Sequence, residues 1–326
     1  MFPDIFYLII GFIFLIKGAD ILIDGSSSIA KRFGLSTFFI GLTVVAFGTS
    51  MPELVVSVLA SIEGSPGIAL GNIIGSNISN TLLILGVSAI VAPLVVKKAT
   101  VNKEIPFSLL AILAVGFLVN DLLIDNCAPN GLTRIDGLVL VLFFAIFIFY
   151  TFGISHEKEN VFKKTVGDLR DEPKEYPSRM TAAMILGGLV GLAGGGQLIV
   201  SSAVNLSFYF GISEALVGLT IVAIGTSLPE LAASVIAVRK GRTDIAVGNV
   251  IGSNIFNFVW VLGLSAIIKP ISYDAILNID FVILFGITMI LLFLIYVGKK
   301  NVLDRWKGAA LVSLYVFYIV FIIIRG

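Results

Sequence analysis

One cysteine and one histidine are all that 326 residues offer to thiol or imidazole chemistry. With Cys127 alone no intramolecular disulfide can form, and the redox state of the compartment leaves no mark on the sequence. His156 lies in a hydrophilic stretch, which excludes a proton relay through imidazole within the apolar sequence. Charge is scarce as well: 13% of residues are Asp, Glu, Lys or Arg and 57% are apolar, against about 25% charged in soluble domains. That balance excludes a soluble globular chain and points to an integral membrane protein. The net charge of +1 leaves no basic surplus for a nucleic acid. The opening stretch, MFPDIFYLIIGFIFLIKGAD, has neither a basic leader nor a small-residue cleavage site before its apolar run. It is expected to be a first membrane helix that the mature protein retains.

What the chain does have is one stretch written twice. Residues 41–91 read GLTVVAFGTSMPELVVSVLASIEGSPGIALGNIIGSNISNTLLILGVSAIV, and residues 218–268 read GLTIVAIGTSLPELAASVIAVRKGRTDIAVGNVIGSNIFNFVWVLGLSAII. A constant offset of 177 aligns them without a gap, and 30 of the first 50 aligned positions are identical. Each copy sets a glutamate, a proline and several hydroxyls and asparagines inside sequence greasy enough for a bilayer. Polar and ionisable groups are expensive there and are read as functional by default.

A helix needs about 20 residues to cross the hydrocarbon. That length gives spans near 3–25, 37–62, 69–92, 105–121, 135–153, 181–206, 214–238, 246–268, 277–297 and 307–324. The offset places the second span on the seventh and the third on the eighth, and Gly34-Leu35-Ser36 against Gly211-Ile212-Ser213 carries the register back into the first and sixth. Lysine and arginine favour cytoplasmic loops. Of these residues 18 fall on one side and 3 (Arg134, Lys269, Arg325) on the other, with Lys17 inside a span. Both termini are therefore expected outside the cell, and the hydrophilic segment 154–180 is expected to be a cytoplasmic linker. The linker is too short for a folded regulatory domain, which needs about 50 residues or more. Five spans per copy turn the second copy over relative to the first. Inverted repeats are a signature of secondary transporters whose ion site lies near the midplane. The expected fold is all-α and integral to the membrane: ten helices as two inverted five-helix repeats, 1–153 (duplicated segment 41–91) and 181–326 (duplicated segment 218–268).

Within GTSMPEL, Pro52 has no N–H and its ring clashes with the carbonyl four residues back, so helix 2 is expected to break near Gly48 and Thr49. Pro229 breaks helix 7 near Gly225 and Thr226 in the same way. An unpaired carbonyl in hydrocarbon costs several kcal/mol, so such breaks are tolerated where they line a polar cavity or hold an ion. Helical spacing puts Ser50, Glu53 and Ser57 on one face, and Ser227, Glu230 and Ser234 on another. Asn72, Ser76 and Asn80, four apart, line the facing stripe, matched by Asn249, Ser253 and Asn257. Every donor is oxygen, a set suited to hard cations: Ca²⁺ takes about 6–8 oxygens. Two negative charges are neutralised by one Ca²⁺ or by several Na⁺, and a site that either ion fills, but not both, is an exchanger. Two carboxylates held together away from water also attract protons, so low pH is expected to inhibit transport.

Plainer readings stand beside these. Gly71-x-x-x-Gly75 and Gly248-x-x-x-Gly252 are close-packing devices for membrane helices, and the asparagines could serve as interhelical glue, Asn77 and Asn254 more so than Asn80 and Asn257. Lys17, Asp20 and Asp24 have uncharged repeat partners in Gly194, Gln197 and Ser201, which favours local pairing or snorkelling over a second ion site. Asp280 is placed near a membrane boundary. An intramembrane hydrolase with Ser50 or Ser227 as nucleophile lacks a histidine or lysine base, so no enzyme is expected. A cation channel is the more serious alternative, yet a two-carboxylate site on broken helices suits tight binding with alternating access better than fast conduction.

GTSMPEL with GNIIGSNISN, and GTSLPEL with GNVIGSNIFN, resemble the motifs of the cation/calcium exchanger superfamily, and within it the compact prokaryotic sodium/calcium exchangers. The resemblance implies that Glu53 and Glu230 bind Ca²⁺ with the backbone carbonyls of Thr49 and Thr226. It implies that Ser50, Ser76, Ser227 and Ser253, with the carbonyls of Ala46 and Ala223, complete flanking Na⁺ sites, and that Asn80 and Asn257 sit at the centre. Potassium-dependent relatives, and some prokaryotic ones, carry an aspartate at one of those two positions; asparagine at both predicts potassium independence here. Ca²⁺ and Na⁺ are cargo, no cofactor is implied, and the bilayer is the one obligate surrounding, with no obligate protein partner. The implied activity is Na⁺/Ca²⁺ antiport at the cell membrane, with H⁺/Ca²⁺ or another divalent-cation antiport as the alternative. The family's alternating access fits glycine-rich first and sixth spans, expected to let that pair slide against the core through weak side-chain interlocking. More than two Na⁺ per Ca²⁺ would make each cycle electrogenic.

Overall fold

The computed structural model describes residues 2–98, 100–124, 129–154, 174–209 and 223–325. In chain order its main helices are α1 (Phe2–Phe33), α2 (Thr37–Thr49), bent by 43° from α3 (Met51–Glu63), then α4 (Pro66–Val91) and α5 (Thr100–Leu118). There follow α6 (Arg134–Ile154), α7 (Ser178–Tyr209), α8 (Ala223–Thr226) and α9 (Leu228–Arg239). The chain closes with α10 (Thr243–Ile268), α11 (Asn278–Tyr296) and α12 (Arg305–Arg325). Among the described residues eight helices are long and apolar enough to cross a bilayer, and the bent pair α2–α3 makes a ninth. The remaining expected span, 214–238, falls in part on residues outside that description.

The helices overrun the apolar runs that announced them. α1 continues to Phe33, with Lys31 and Arg32 in its last turn, where cations meet the negative end of the helix dipole. α3 and α9 both end at a glycine in the left-handed region, Gly64 (φ 82°) and Gly241 (φ 69°). These are repeat equivalents, and only glycine adopts that conformation without strain. Two features have no counterpart in the sequence reading. α4 and α10 each widen into a π-helical turn, at Asn80–Ile84 and Phe256–Val261. Two short antiparallel ribbons also join the halves: Leu94–Val95 with Val302–Leu303, and Gly131–Leu132 with Ile271–Ser272.

Glycine governs how closely the helices meet. α1 and α7 pack antiparallel, backbone to backbone. A Cβ at Gly18 would lie 2.7 Å from Leu192 N, one at Gly188 2.8 Å from Leu22 N, and one at Gly195 2.6 Å from Leu15 N. The expectation that these glycines loosen the pair's grip on the core is corrected in one respect. Gly11, Gly18, Gly188, Gly191 and Gly195 lie between α1 and α7 and bind the two into one unit. Against the core that unit presents side chains at two points, where a Cβ at Gly48 would overlap Leu189 and one at Gly225 would overlap Val200, while Gly196 faces Pro229 of α9, 3.6 Å from an added Cβ. Elsewhere the copies pack alike. Gly86 meets Gly308 of α12, and its repeat equivalent Gly263 meets Gly137 of α6. Gly248 and Gly252 press on α2: a Cβ at Gly248 would lie 2.6 Å from Phe38 O and one at Gly252 2.5 Å from Leu42 O. A Cβ at Gly71 or Gly75 would meet no described atom within 4 Å; the part of the chain equivalent to α2 there, 214–222, is outside the description.

The remaining charges find partners across the fold. Asp20 and Asp24 pair with Lys240 at 2.8 and 2.7 Å, so they are not paired locally; Lys17 in the same helix is exposed. The reason is proximity, since α1 packs along α9, whose last residue precedes Lys240. Asp280 opens α11 and meets Arg325 at 2.9 Å and the Tyr318 hydroxyl at 3.3 Å.

Candidate cation-binding site

The site begins at two breaks. Ser50 (φ −82°, ψ 6°) separates α2 from α3, and Ser227 (φ −87°, ψ 2°) separates α8 from α9. Each lies two residues before a proline and three before a glutamate. Glu53 and Glu230 thus stand in the first turns of α3 and α9, each 1% exposed, where the positive helix ends favour a carboxylate.

Each carboxylate holds one hydroxyl. Ser76 donates to Glu53 Oε1 at 3.4 Å, and Ser50, from the opposite copy, donates to Glu230 Oε1 at 3.2 Å. Ser50 of the first copy thus reaches Glu230 of the second, and Thr49 reaches Asn249, so the two copies meet at these residues. Among the described residues the second oxygens, Glu53 Oε2 and Glu230 Oε2, have no hydrogen-bond partner, nor do Asn80 Oδ1, Asn257 Oδ1, Ser227 Oγ or Ser253 Oγ. Unpartnered buried acceptors are costly, and oxygen-rich surroundings suit a hard cation. Among the described residues no three of His, Cys, Asp and Glu cluster.

A brace holds these groups, and here Asn72 and Asn249 depart from the oxygen wall that the stripe suggested. Asn72 Nδ2 donates to Glu53 O (3.3 Å) and Ser57 Oγ (3.1 Å), while its Oδ1 accepts from the Thr226 hydroxyl at 3.4 Å. Asn249 Nδ2 donates to Glu230 O (3.3 Å) and Ser234 Oγ (3.0 Å), and its Oδ1 accepts from the Thr49 hydroxyl at 3.1 Å. Each amide therefore ties the glutamate backbone of one copy to the threonine hydroxyl of the other. The hydroxyls of Thr49 and Thr226 carry this brace to the opposite copy. The Ala46 carbonyl accepts from Ser50 N at 3.0 Å and from the Thr49 hydroxyl at 3.4 Å. Ala223, its counterpart, opens α8 at the edge of the described residues. Asn77 and Asn254 join α4 to α10, Asn77 Nδ2 donating to Asn254 O at 3.2 Å and Asn254 Nδ2 to the Thr81 hydroxyl at 2.9 Å, which is the interhelical role expected of them.

The family model described as "Sodium/calcium exchanger protein" matches residues 4–153 and 180–324. The chain belongs to this family. The sodium/calcium exchanger MaX1 of Methanosarcina acetivorans is 33% identical over 339 residues, covering 96% of both chains, and the putative antiporter CaxA of Alkalimonas amylolytica is 36% identical over 317 residues with the same coverage. The solved structure of the sodium-calcium exchanger NCX_Mj superposes with a TM-score of 0.81 at 32% identity, covering 98% of each chain. This is the compact prokaryotic kind of cation/calcium exchanger, a family of transporters rather than enzymes.

Proposed function

We propose that the chain is a secondary antiporter exchanging Na⁺ for Ca²⁺ across the cell membrane, with Glu53 and Glu230 as the carboxylates that bind Ca²⁺. One observation supports the reading: two glutamates from opposite copies are each 1% exposed, each has an oxygen without a partner among the described residues, and Ser50 of the first copy donates to Glu230 of the second. The Thr49 and Thr226 carbonyls complete the Ca²⁺ shell. Ser50, Ser76, Ser227 and Ser253, with the Ala46 and Ala223 carbonyls, form flanking Na⁺ positions, and Asn80 and Asn257 close the centre. Two negative charges cannot hold a full load of both ions, so each must leave before the other binds. Neutral amides at 80 and 257 leave no third carboxylate for K⁺, and the exchange is K⁺-independent.

In this reading ten helices form two inverted repeats, 1–153 and 181–326, with helices 2 and 7 broken by Pro52 and Pro229, which cannot serve the carbonyls of Gly48 and Gly225. The mirrored brace, the glycine contacts of Gly86 and Gly263, and the two ribbons support that symmetry. The termini face outward and the 154–180 linker lies in the cytoplasm, following the lysine and arginine bias.

Radioactive Ca²⁺ binding to the detergent-purified protein tests the site. Wild type binds Ca²⁺ and releases it to Na⁺. Glu53→Gln and Glu230→Gln, close in shape, each weaken binding by about 100-fold or more, since removing one partner of a buried charged contact costs about 3–5 kcal/mol. Unchanged affinity in both variants would overturn the assignment.

A further inference from the structure

Asn257 Oδ1 belongs to the oxygens that face the cation only if its amide is turned the right way, since the other end of the group is an NH₂ that repels one. An amide's two ends are told apart by their partners, and here a chain of partners fixes them. Asn77 Nδ2 lies 3.2 Å from the backbone carbonyl of Asn254, which can only accept. The NH₂ of Asn77 is therefore on that side, and its oxygen faces Asn257. Asn257 Nδ2 then donates to Asn77 Oδ1 at 3.0 Å, leaving Asn257 Oδ1 without a partner among the described residues.

A second loop secures Asn77. The Thr81 hydroxyl donates to Asn77 O at 2.8 Å, so Thr81 Oγ1 must accept from Asn254 Nδ2, at 2.9 Å. All four side chains are buried, Asn77, Thr81 and Asn257 to 1% exposure or less and Asn254 to 8%. The arrangement is one-sided. The repeat equivalent of Thr81 is Phe258, which offers no oxygen, so the network cannot be mirrored in the second copy. The duplicated sequence diverges where this amide relay is built.

We propose that Asn77 is a positioning residue: its carbonyl holds the NH₂ of Asn257, with Thr81 and Asn254 fixing Asn77, so that Asn257 presents oxygen to the transported cation. The inference rests on the site proposed above. Without Asn77 Oδ1 the amide of Asn257 is free to turn and offer NH₂. Ca²⁺, which needs about 6–8 oxygens, loses more by this than Na⁺.

The test is a double-substitution cycle read by radioactive Ca²⁺ binding to the purified protein. Asn77→Leu keeps the volume and removes the carbonyl; Asn257→Asp replaces the amide by a group with oxygen at both ends, which needs no orientation. Asn77→Leu is expected to raise the Ca²⁺ dissociation constant about tenfold, the worth of one buried hydrogen bond. In the Asn257→Asp background the same change should alter it by less than about twofold. Thr81→Val, nearly isosteric and so a safeguard against misfolding, should raise it about threefold in the wild-type background and leave it unchanged beside Asn257→Asp. Equal loss in both backgrounds would reduce Asn77 to a structural residue and overturn the proposal. Wild type that binds Ca²⁺ but fails to exchange it for Na⁺ would sink the antiport reading and leave this one to be decided by the binding cycle. Wild type that binds no Ca²⁺ overturns both.

Discussion

Glu53 and Glu230 each accept from a serine hydroxyl and are braced through the backbone, and each has one oxygen without a hydrogen-bond partner among the described residues. A proton can take that oxygen as well as a cation can. Protons and Ca²⁺ therefore compete: as pH falls the carboxylates protonate and the Ca²⁺ concentration for half-maximal uptake rises, with little change in the maximal rate at saturating Ca²⁺. Uptake followed at several Ca²⁺ concentrations checks this, and a half-saturation value flat between about pH 5 and 8 would count against the paired carboxylates. At this scale duplication singled out both glutamates and the four serines, and the structure buries all six. It misjudged Asn72 and Asn249, whose spacing matches the ligand stripe but whose amides turn back onto Glu53 O, Glu230 O and the two threonines. Side-chain direction is set by the facing helix, which spacing does not contain. For Asn77 the available signal was the break in the repeat, Thr81 against Phe258.

The helices themselves were legible from apolar runs, while their junctions were not. α1 and α7 were readable as glycine-rich, but which surface the glycines serve depends on the partner. They let two backbones meet, and Leu189 and Val200 then fill the space beside Gly48 and Gly225. A side chain at Gly18 has nowhere to go, with Leu192 N at 2.7 Å and Gly188 O at 2.8 Å. Gly18→Val is expected to part α1 from α7 and destabilise the fold by about 1–3 kcal/mol or more, visible as a lowered unfolding temperature in detergent. Gly194→Val, where no described atom lies within 4 Å of the added Cβ, is the control and should leave it unchanged. Equal effects would contradict the glycine seam. The π turns at Asn80–Ile84 and Phe256–Val261 were invisible to a reading in steps of 3.6. Such turns cluster at functional sites, and these two begin at or beside the central asparagines.

For the whole molecule, family and membrane class were written in the sequence because the duplicated motif is long, while coupling is not written there at all. The same two carboxylates could exchange Ca²⁺ against Na⁺ or against H⁺, and the ion that drives transport is a property of the cycle. If more than two Na⁺ move per Ca²⁺, each cycle carries net charge worth about 2.3 kcal/mol per 100 mV, which drives Ca²⁺ out of an inside-negative cell. The most direct measurement is radioactive Ca²⁺ uptake into proteoliposomes loaded with Na⁺ and diluted into Na⁺-free medium, with and without K⁺, beside Glu230→Gln vesicles. The account predicts uptake that requires the Na⁺ gradient, ignores K⁺, quickens with a potential positive inside the vesicle, and vanishes in the variant. Uptake that follows a proton gradient and is indifferent to Na⁺ would contradict it.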